Sequence, residues 1–151
     1  MKRKNSCYLH FLIWFIVFVP FWDGLSQNPI VPPGIYIADP AAKIWDDGRI
    51  YVYGSRDENP GYYCSWKYHV LWSDDLRNWR IAENVLTSKG IGDEIPYSDA
   101  ILYAPDCSYK DGIYYLYYCL ASSENTEGVA TSSSPLGPFR KGTVMNPSVL
   151  R

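Results

Sequence analysis

Residues 104–119 read APDCSYKDGIYYLYYC, and this stretch decides the fold. The Asp111-Gly112 pair in its middle is a strong signal for a tight hairpin turn, because both residue types adopt positive φ at low cost. The residues that follow are almost all aromatic, aliphatic or β-branched, which is typical of a strand buried in a sheet. The stretch therefore predicts two antiparallel strands joined at Asp111-Gly112.

The same pattern occurs earlier in the chain, where residues 38–55 read ADPAAKIWDDGRIYVYGS. Aligning Gly48 with Gly112 superimposes the two Asp-Gly pairs and the aromatic residues after them. Downstream, VLWSDDLRNW at residues 70–79 matches VATSSSPLGPF at residues 129–139, with serine at the fourth position of each. Equivalent glycines lie 64 positions apart and equivalent serines 59, which indicates a repeat of about sixty residues with four strands in each unit.

Four-stranded antiparallel units in tandem are typical of β-propeller blades. The sequence thus predicts an all-β protein with blade one at about residues 35–85, blade two at about 100–142 and the start of a third blade at 143–151. A β-sandwich is the alternative, because two units supply enough strands for one. Residues 88–100, SKGIGDEIPYSDA, form a polar link and have the least regular pattern.

The amino-terminal end has the pattern of a secretory signal peptide. A basic segment at residues 2–4 is followed by the apolar run FLIWFIVFVPFW at residues 11–22, and Gly24-Leu25-Ser26 supplies small residues for cleavage. The apolar run is shorter than the roughly 20 residues that a membrane helix needs. We expect residues 1–26 to be removed and residues 27–151 to be secreted or periplasmic, with no membrane contact afterwards; a retained anchor is the alternative.

Composition excludes several classes of function. The formal net charge is −2 and residues 27–151 contain no basic run, which argues against a nucleic-acid partner. The histidines are far apart and no cysteine pair has metal-ligand spacing, so we expect no metal and no cofactor. Aromatic residues make up 17% of the chain, enough to serve both a core and sugar-binding surfaces. Beyond the signal segment three cysteines occur, so at most one disulfide can form, with its pairing open: Cys64, Cys107 and Cys119.

Four segments together resemble glycoside hydrolase family 43: ADP at residues 38–40, APDCSYKDGIYYLYY at 104–118, SDDLRNW at 73–79 and TSSSPLGPF at 131–139. The resemblance implies a five-bladed β-propeller that hydrolyses arabinose- or xylose-containing polysaccharides. A whole propeller at this repeat length needs around 300 residues. We therefore expect this chain to be an amino-terminal fragment with about two blades.

The resemblance also implies roles for individual residues. Asp39 matches the general base, and Asp106 matches the carboxylate that tunes the pKa of the general acid and orients the sugar. Tyr103 stands where the family usually has tryptophan, and is a candidate sugar contact. The general acid is a glutamate of the third blade, which this chain lacks, so we expect the chain alone to be inactive.

That set of carboxylates suits an inverting glycosidase. One carboxylate activates water while a protonated acid donates to the leaving oxygen, and the two stand about 6.5–9.5 Å apart. A third carboxylate near the acid disfavours the ionised form of the acid and keeps it protonated. Asp39 and Asp106 are 67 positions apart in sequence, so only a fold that brings blade starts together can join them.

Each of these residues also has a purely structural interpretation. Asp39 before Pro40 is an ordinary turn opening. Asp47 and Asp111, the aspartates of the two Asp-Gly pairs, are interpreted as hairpin-turn residues. Arg56 either lines the cleft or is solvated, and the second interpretation is favoured. Cys107 has the pattern of a small buried apolar residue, not of a nucleophile. The competing function is a non-catalytic, secreted carbohydrate-binding β module.

Overall fold

The structure is a computed structural model that describes residues 30–31, 34–58 and 65–145. The predicted signal peptide, Cys64 and most of the predicted third blade (146–151) lie outside the described residues. The described part is all-β and contains eight strands: β1 (Tyr36–Ile44), β2 (Ile50–Asp57), β3 (Lys67–Ser73), β4 (Arg80–Thr87), β5 (Leu102–Lys110), β6 (Ile113–Leu120), β7 (Glu127–Ser132) and β8 (Arg140–Val144). Within these ranges no helix is long and apolar enough to span a membrane.

The strands form two separate antiparallel meanders, in the orders β1-β2-β3-β4 and β5-β6-β7-β8. None of the eight described strands crosses from one sheet to the other, whereas an immunoglobulin-type sandwich has Greek-key connections between its sheets. Consecutive four-stranded meanders are the arrangement of propeller blades. The prediction of two propeller blades is therefore confirmed, and the two sheets are called blade one and blade two below.

The first hairpins of the two blades differ, although the sequence predicted a tight Asp-Gly turn in both. In blade two, Lys110 pairs with Ile113, so Asp111 and Gly112 alone form the turn, with φ of 51° and 84°. In blade one, the last strand pair is Ile44 with Ile50, which leaves a five-residue loop. The expectation of equal turns was wrong, because the blade-one loop closes on itself: the Gly48 amide donates to the Trp45 carbonyl at 2.9 Å, and the Arg49 amide to Asp47 Oδ1 at 3.1 Å.

The hydrophobic core lies between the two blades and is built mainly from the middle strands of each sheet. Its largest fully buried side chains are aromatic: Tyr51, Tyr53, Tyr68, Tyr118 and Phe139. Hydrogen bonds also join the blades. The Tyr53 hydroxyl donates to the Pro135 carbonyl at 2.9 Å, and the Phe139 amide donates to the Val85 carbonyl at 2.7 Å. Burial of apolar area and polar pairing thus hold the two sheets against each other.

The link between the blades is packed, contrary to the expectation that it has little order. Ile95 is fully buried in the core, and the Ser88 hydroxyl donates to the Ala100 carbonyl at 2.6 Å. The Glu94 amide donates to the Thr87 carbonyl at 3.0 Å. The segment is held by this buried isoleucine, by local hydrogen bonds and by bonds to the second blade, such as that from the Gly142 amide to the Glu94 carbonyl at 2.8 Å. None of these contacts produces a periodic pattern in the sequence.

Candidate active site

The first strand of each blade contains a β-bulge at the place where the sequence puts a proline. In blade one, Ala38 pairs with Ser55 and Ala41 with Tyr53, and the register shifts between the two pairs. The bulge therefore consists of Asp39 and Pro40. Proline has no N–H to donate to a ladder, which favours a bulge at this position.

The bulge in blade two has the same form. Tyr103 pairs with Cys119 and Asp106 with Tyr117, with a register shift between them. The two residues left over are alanine and proline of the APD motif. Bulges re-aim the side chains around them, and they are frequent beside active sites.

Asp39 lies inside its bulge with φ of 47° and an exposed side chain. Aspartate is one of the few non-glycine residues that tolerate this left-handed conformation. No hydrogen bond or ion pair joins the Asp39 carboxylate to any side chain in the described ranges. The carboxylate is thus a free acceptor at the start of blade one.

Asp106 does not occupy the same position as Asp39, although the sequence repeat suggested that the two match. Asp106 follows its bulge and pairs with Tyr117, and the equivalent pair in blade one is Ala41 with Tyr53. The alignment was wrong here because ADP and APD put aspartate on opposite sides of proline. The two carboxylates thus lie at different depths along the first strands of their blades.

The structure places these two strands next to each other, since β1 contacts β5. An ion pair crosses between them: Lys43 Nζ lies 2.7 Å from Asp106 Oδ1. The same oxygen accepts a hydrogen bond from the Cys107 amide at 2.8 Å. One oxygen of Asp106 is therefore held by two donors, while the side chain as a whole keeps 58% of its surface exposed.

Tyr103 lies just before the bulge of blade two, and 37% of it is exposed. Its backbone carbonyl accepts a hydrogen bond from the Tyr68 hydroxyl of blade one. The backbone is therefore anchored between the blades, and the ring is available to a ligand. An aromatic ring in such a place can pack on the apolar face of a sugar.

Lys43 was missed by sequence reasoning, and Arg56 was misjudged. Lys43 lies on the same strand as Asp39, and nothing in its local pattern shows that it reaches the other blade. Arg56 is not simply solvated, since its Nη1 lies 3.3 Å from Nε2 of the buried His69. Both contacts join residues far apart in sequence, so only the folded chain reveals them.

Cys107 is buried with 1% exposure, as predicted. Burial raises the pKa of its thiol to about 12, and the Asp106 carboxylate acts in the same direction. A thiol with this pKa stays protonated near neutral pH and is a poor nucleophile. Across the described ranges, no group of three or more histidine, cysteine or acidic side chains could hold a metal ion.

The profile of glycosyl hydrolases family 43 matches residues 26–148. The chain belongs to glycosyl hydrolase family 43.

Curated proteins support the same assignment. The chain is 35% identical over 126 residues to a xylosidase/arabinosidase of Bacteroides ovatus, a match that covers 76% of this chain and 37% of the relative. It is 36% identical over 117 residues to a beta-xylosidase of Xylanibacter ruminicola, covering 71% of this chain and 36% of that protein. This chain spans about a third of the length of these family 43 relatives.

Solved structures give the same result. The GH43_1 enzyme from Xanthomonas citri, solved with xylotriose, superposes with a TM-score of 0.65 at 29% identity, covering 78% of this chain and 34% of that one. CoXyl43, a beta-xylosidase/alpha-arabinofuranosidase from a compost metagenome, gives a TM-score of 0.61 at 34% identity, covering 78% and 37%. The two blades therefore correspond to part of a family 43 propeller.

Proposed function

We propose that this chain forms the amino-terminal blades of a glycoside hydrolase that cleaves xylose- or arabinose-containing saccharides with inversion. The observation that carries the proposal is a pair of exposed aspartates, one inside and one directly after matching bulges, on adjacent first strands of a family 43 chain. Two relatives named for xylosidase or arabinosidase activity support the choice of sugar.

In the proposed mechanism Asp39 is the general base. Its carboxylate has no competing cation among the described residues and lies exposed, so it can accept a proton from a water molecule. Deprotonated water then attacks the anomeric carbon from the face opposite the leaving group. Aspartate in the bulge suits this role, because the irregular backbone turns the side chain out of the regular pleat.

Asp106 is the second carboxylate of the proposed site. It orients the sugar and, by like-charge repulsion, favours the protonated form of a nearby acid. The resemblance assigns that acid to a glutamate of a third blade, which lies outside the described residues. Tyr103 is the proposed sugar platform beside Asp106.

The signal-peptide pattern supports the further proposal that the protein is exported to the periplasm or the medium. Polysaccharides too large to cross a membrane are accessible there. Sequencing the amino terminus of the exported protein tests this point, and a first residue at Gln27 is the expected result.

The catalytic roles can be tested in a hybrid enzyme. Residues 27–145 replace the matching segment of the Bacteroides ovatus xylosidase/arabinosidase, whose remaining blades complete the propeller. We expect the hybrid to hydrolyse an aryl xyloside or arabinofuranoside. Asp39→Asn should lower kcat by at least about 10²-fold, since loss of a positioned general base removes that much rate.

The matched control is Asp111→Asn, an aspartate-to-asparagine change in a hairpin turn of the same chain. It should leave kcat unchanged. Equal losses of kcat in Asp39→Asn and Asp111→Asn would contradict the catalytic role. A hybrid that binds xylotriose equally well with Asp39→Asn, yet has no activity to lose, would support the non-catalytic carbohydrate-binding alternative.

A further inference from the structure

We infer that Lys43 is a positioning residue that fixes the Asp106 carboxylate through one oxygen and leaves the other oxygen to face a ligand. The inference rests on the proposed function for the identity of that ligand, a saccharide hydroxyl. The contacts themselves are independent of it.

The Asp106 carboxylate is held through one of its two oxygens. Its Oδ1 receives Lys43 Nζ at 2.7 Å and the Cys107 amide at 2.8 Å. Two donors on one oxygen define the side-chain rotamer more tightly than one donor can. Among the described residues no side chain or amide donates to Oδ2, so this oxygen keeps both lone pairs for a ligand.

The amide that donates to Asp106 belongs to Cys107, on the same strand. β5 is an edge strand of its sheet, and alternate N–H groups of an edge strand have no ladder partner. The Asp106 carboxylate satisfies one of these groups, that of Cys107. Oδ1 is therefore occupied by the Cys107 backbone N–H and by the Lys43 ammonium.

The ion pair between Lys43 and Asp106 connects the two blades. Lys43 and Asp106 are 31% and 58% exposed, and ion pairs at such exposure contribute little to stability. Yet among the described ion pairs this is the one that joins a strand of blade one to a strand of blade two. Its specific effect is to set the position of Asp106 relative to the strand that carries Asp39.

The charge of Lys43 also decides how Asp106 acts. An ammonium at 2.7 Å offsets most of the carboxylate charge as felt several ångströms away. The pair then acts on its surroundings as a dipole, and its field falls off faster than that of a single charge. Of the two roles proposed for Asp106, Lys43 therefore strengthens the orienting one, through a directed hydrogen bond at Oδ2, and weakens the repulsion of the nearby acid.

The experiment uses NMR spectroscopy on the 151-residue chain labelled with ¹³C and ¹⁵N. Three-bond couplings from the Asp106 side-chain carboxyl carbon to its backbone nitrogen and carbonyl report whether χ1 occupies one rotamer. We expect one rotamer in the wild type, rotamer averaging in Lys43→Met, and one rotamer again in Lys43→Arg, which restores the cation. Lys67→Met is the matched control, since Lys67 is 35% exposed and pairs with Glu58 elsewhere.

A single Asp106 rotamer in Lys43→Met would overturn the inference. So would averaging of the Asp106 rotamers in Lys67→Met to the same extent as in Lys43→Met. A second measurement needs no variant. In the wild type, a scalar coupling between the Lys43 ammonium nitrogen and the Asp106 carboxyl carbon is expected, and its absence at low salt would also overturn the inference.

Added xylotriose separates this inference from the proposed function. We expect the sugar to shift the Asp106 carboxyl resonance in the wild type, and Lys43→Met to weaken xylotriose binding about two- to fivefold, the range for an exposed ion pair. No sugar response in any variant, with the rotamer result intact, would count against the proposed function alone. A sugar affinity that Lys43→Met leaves unchanged would count against the positioning role alone.

Discussion

Blade one and blade two differ at one cross-strand pair between their second and third strands. Each pair joins a large and a small residue, but the large residue lies on the third strand in blade one and on the second strand in blade two. In blade one Gly54 on β2 pairs with His69 on β3, and in blade two Tyr118 on β6 pairs with Gly128 on β7. All four residues are buried. The large side chain thus changes strands between the blades, while the ladder around it is retained.

The polar ends of the two large side chains find different partners. The Tyr118 hydroxyl lies 2.8 Å from the Tyr97 hydroxyl. His69 Nδ1 accepts a hydrogen bond from the Asn84 amide at 3.0 Å. The repeat thus preserves the backbone pairing and the combination of one large with one small residue, whereas the identity of the large residue depends on which partners each blade offers for its polar atoms.

The largest expected effect on stability comes from adding a methyl group at Gly128, the small residue of the blade-two pair. A Cβ on Gly128 would lie 2.3 Å from the ring of Tyr118, whose exposure is 1%. We expect Gly128→Ala to lower the free energy of unfolding by about 3 kcal/mol, the upper part of the usual range for overpacking. Chemical denaturation followed by tryptophan fluorescence measures it.

The matched change in blade one is Gly54→Ala. Its added Cβ would meet Cγ2 of Ile37 at 2.1 Å and the Ala38 carbonyl oxygen at 3.1 Å. Ile37 is half-buried on an edge strand, so its side chain can rotate about χ1 to move this methyl group aside. We expect a smaller loss, and near-complete rescue in the Gly54→Ala/Ile37→Ala double variant. Equal losses in Gly54→Ala and Gly128→Ala would show that the two small positions are not packed differently.

Removing the ring of His69 tests the large position of blade one. His69→Leu removes the acceptor of the Asn84 backbone N–H, and loss of a hydrogen bond of this kind costs about 0.5–1.5 kcal/mol. His69→Asn keeps an acceptor near the position of Nδ1 and should cost less. If the leucine variant is as stable as the asparagine variant, the hydrogen bond to Asn84 is not what selects histidine.

A pH titration sharpens the same comparison. Burial lowers the pKa of His69, and the nearby Arg56 guanidinium lowers it further, while Glu83 and Glu58 oppose these effects. The unfolded chain therefore takes up a proton before the folded chain does. Stability should fall as the pH drops below about 6.5, the ordinary pKa of histidine, toward the lower folded pKa.

The measurement is the free energy of unfolding of the wild type and of His69→Asn between about pH 8 and pH 5. We expect the wild type to lose more stability over this range, because only it carries the buried imidazole. Parallel curves for the two proteins would show that His69 does not contribute to acid sensitivity.

The smallest expected effect concerns two arginines at equivalent positions on the fourth strands. Arg80 stacks on Trp72 at 4.4 Å from the ring centroid, whereas Arg140 Nη1 lies 2.5 Å from Glu94 Oε1. We expect Arg80→Met and Arg140→Met each to cost about 0.5–1 kcal/mol. About 1 M NaCl should abolish the Arg140 effect and leave most of the Arg80 effect, because salt screens exposed ion pairs.

The contradictory outcome is an equal salt dependence of the two arginine variants. It would mean that the interaction of Arg80 with Asp74, at 3.7 Å, outweighs the stacking on Trp72.

Sequence reasoning correctly predicted the strands, the two-blade organisation and the family. The Asp-Gly pairs and the alternation of aromatic residues are local signals that any copy of a blade must carry. Reasoning failed where two copies diverge locally: the five-residue loop of blade one, the different strand positions of Asp39 and Asp106, and the packed link around Ile95. A shift of one or two residues changes such features without disturbing the repeat.

The sequence by itself determined which segments become strands, because hydrophobic periodicity and turn residues act over a few positions. It also indicated that Asp39 and Asp106 stand at blade starts. Only the tertiary structure decided that Lys43 reaches across to Asp106. It also decided that the large buried residue lies on the third strand in blade one, as His69, and on the second strand in blade two, as Tyr118. The first of these depends on how the two blades pack against each other, and the second on which residues become cross-strand partners within each sheet. In both cases the separation of the partners in sequence carries no pattern.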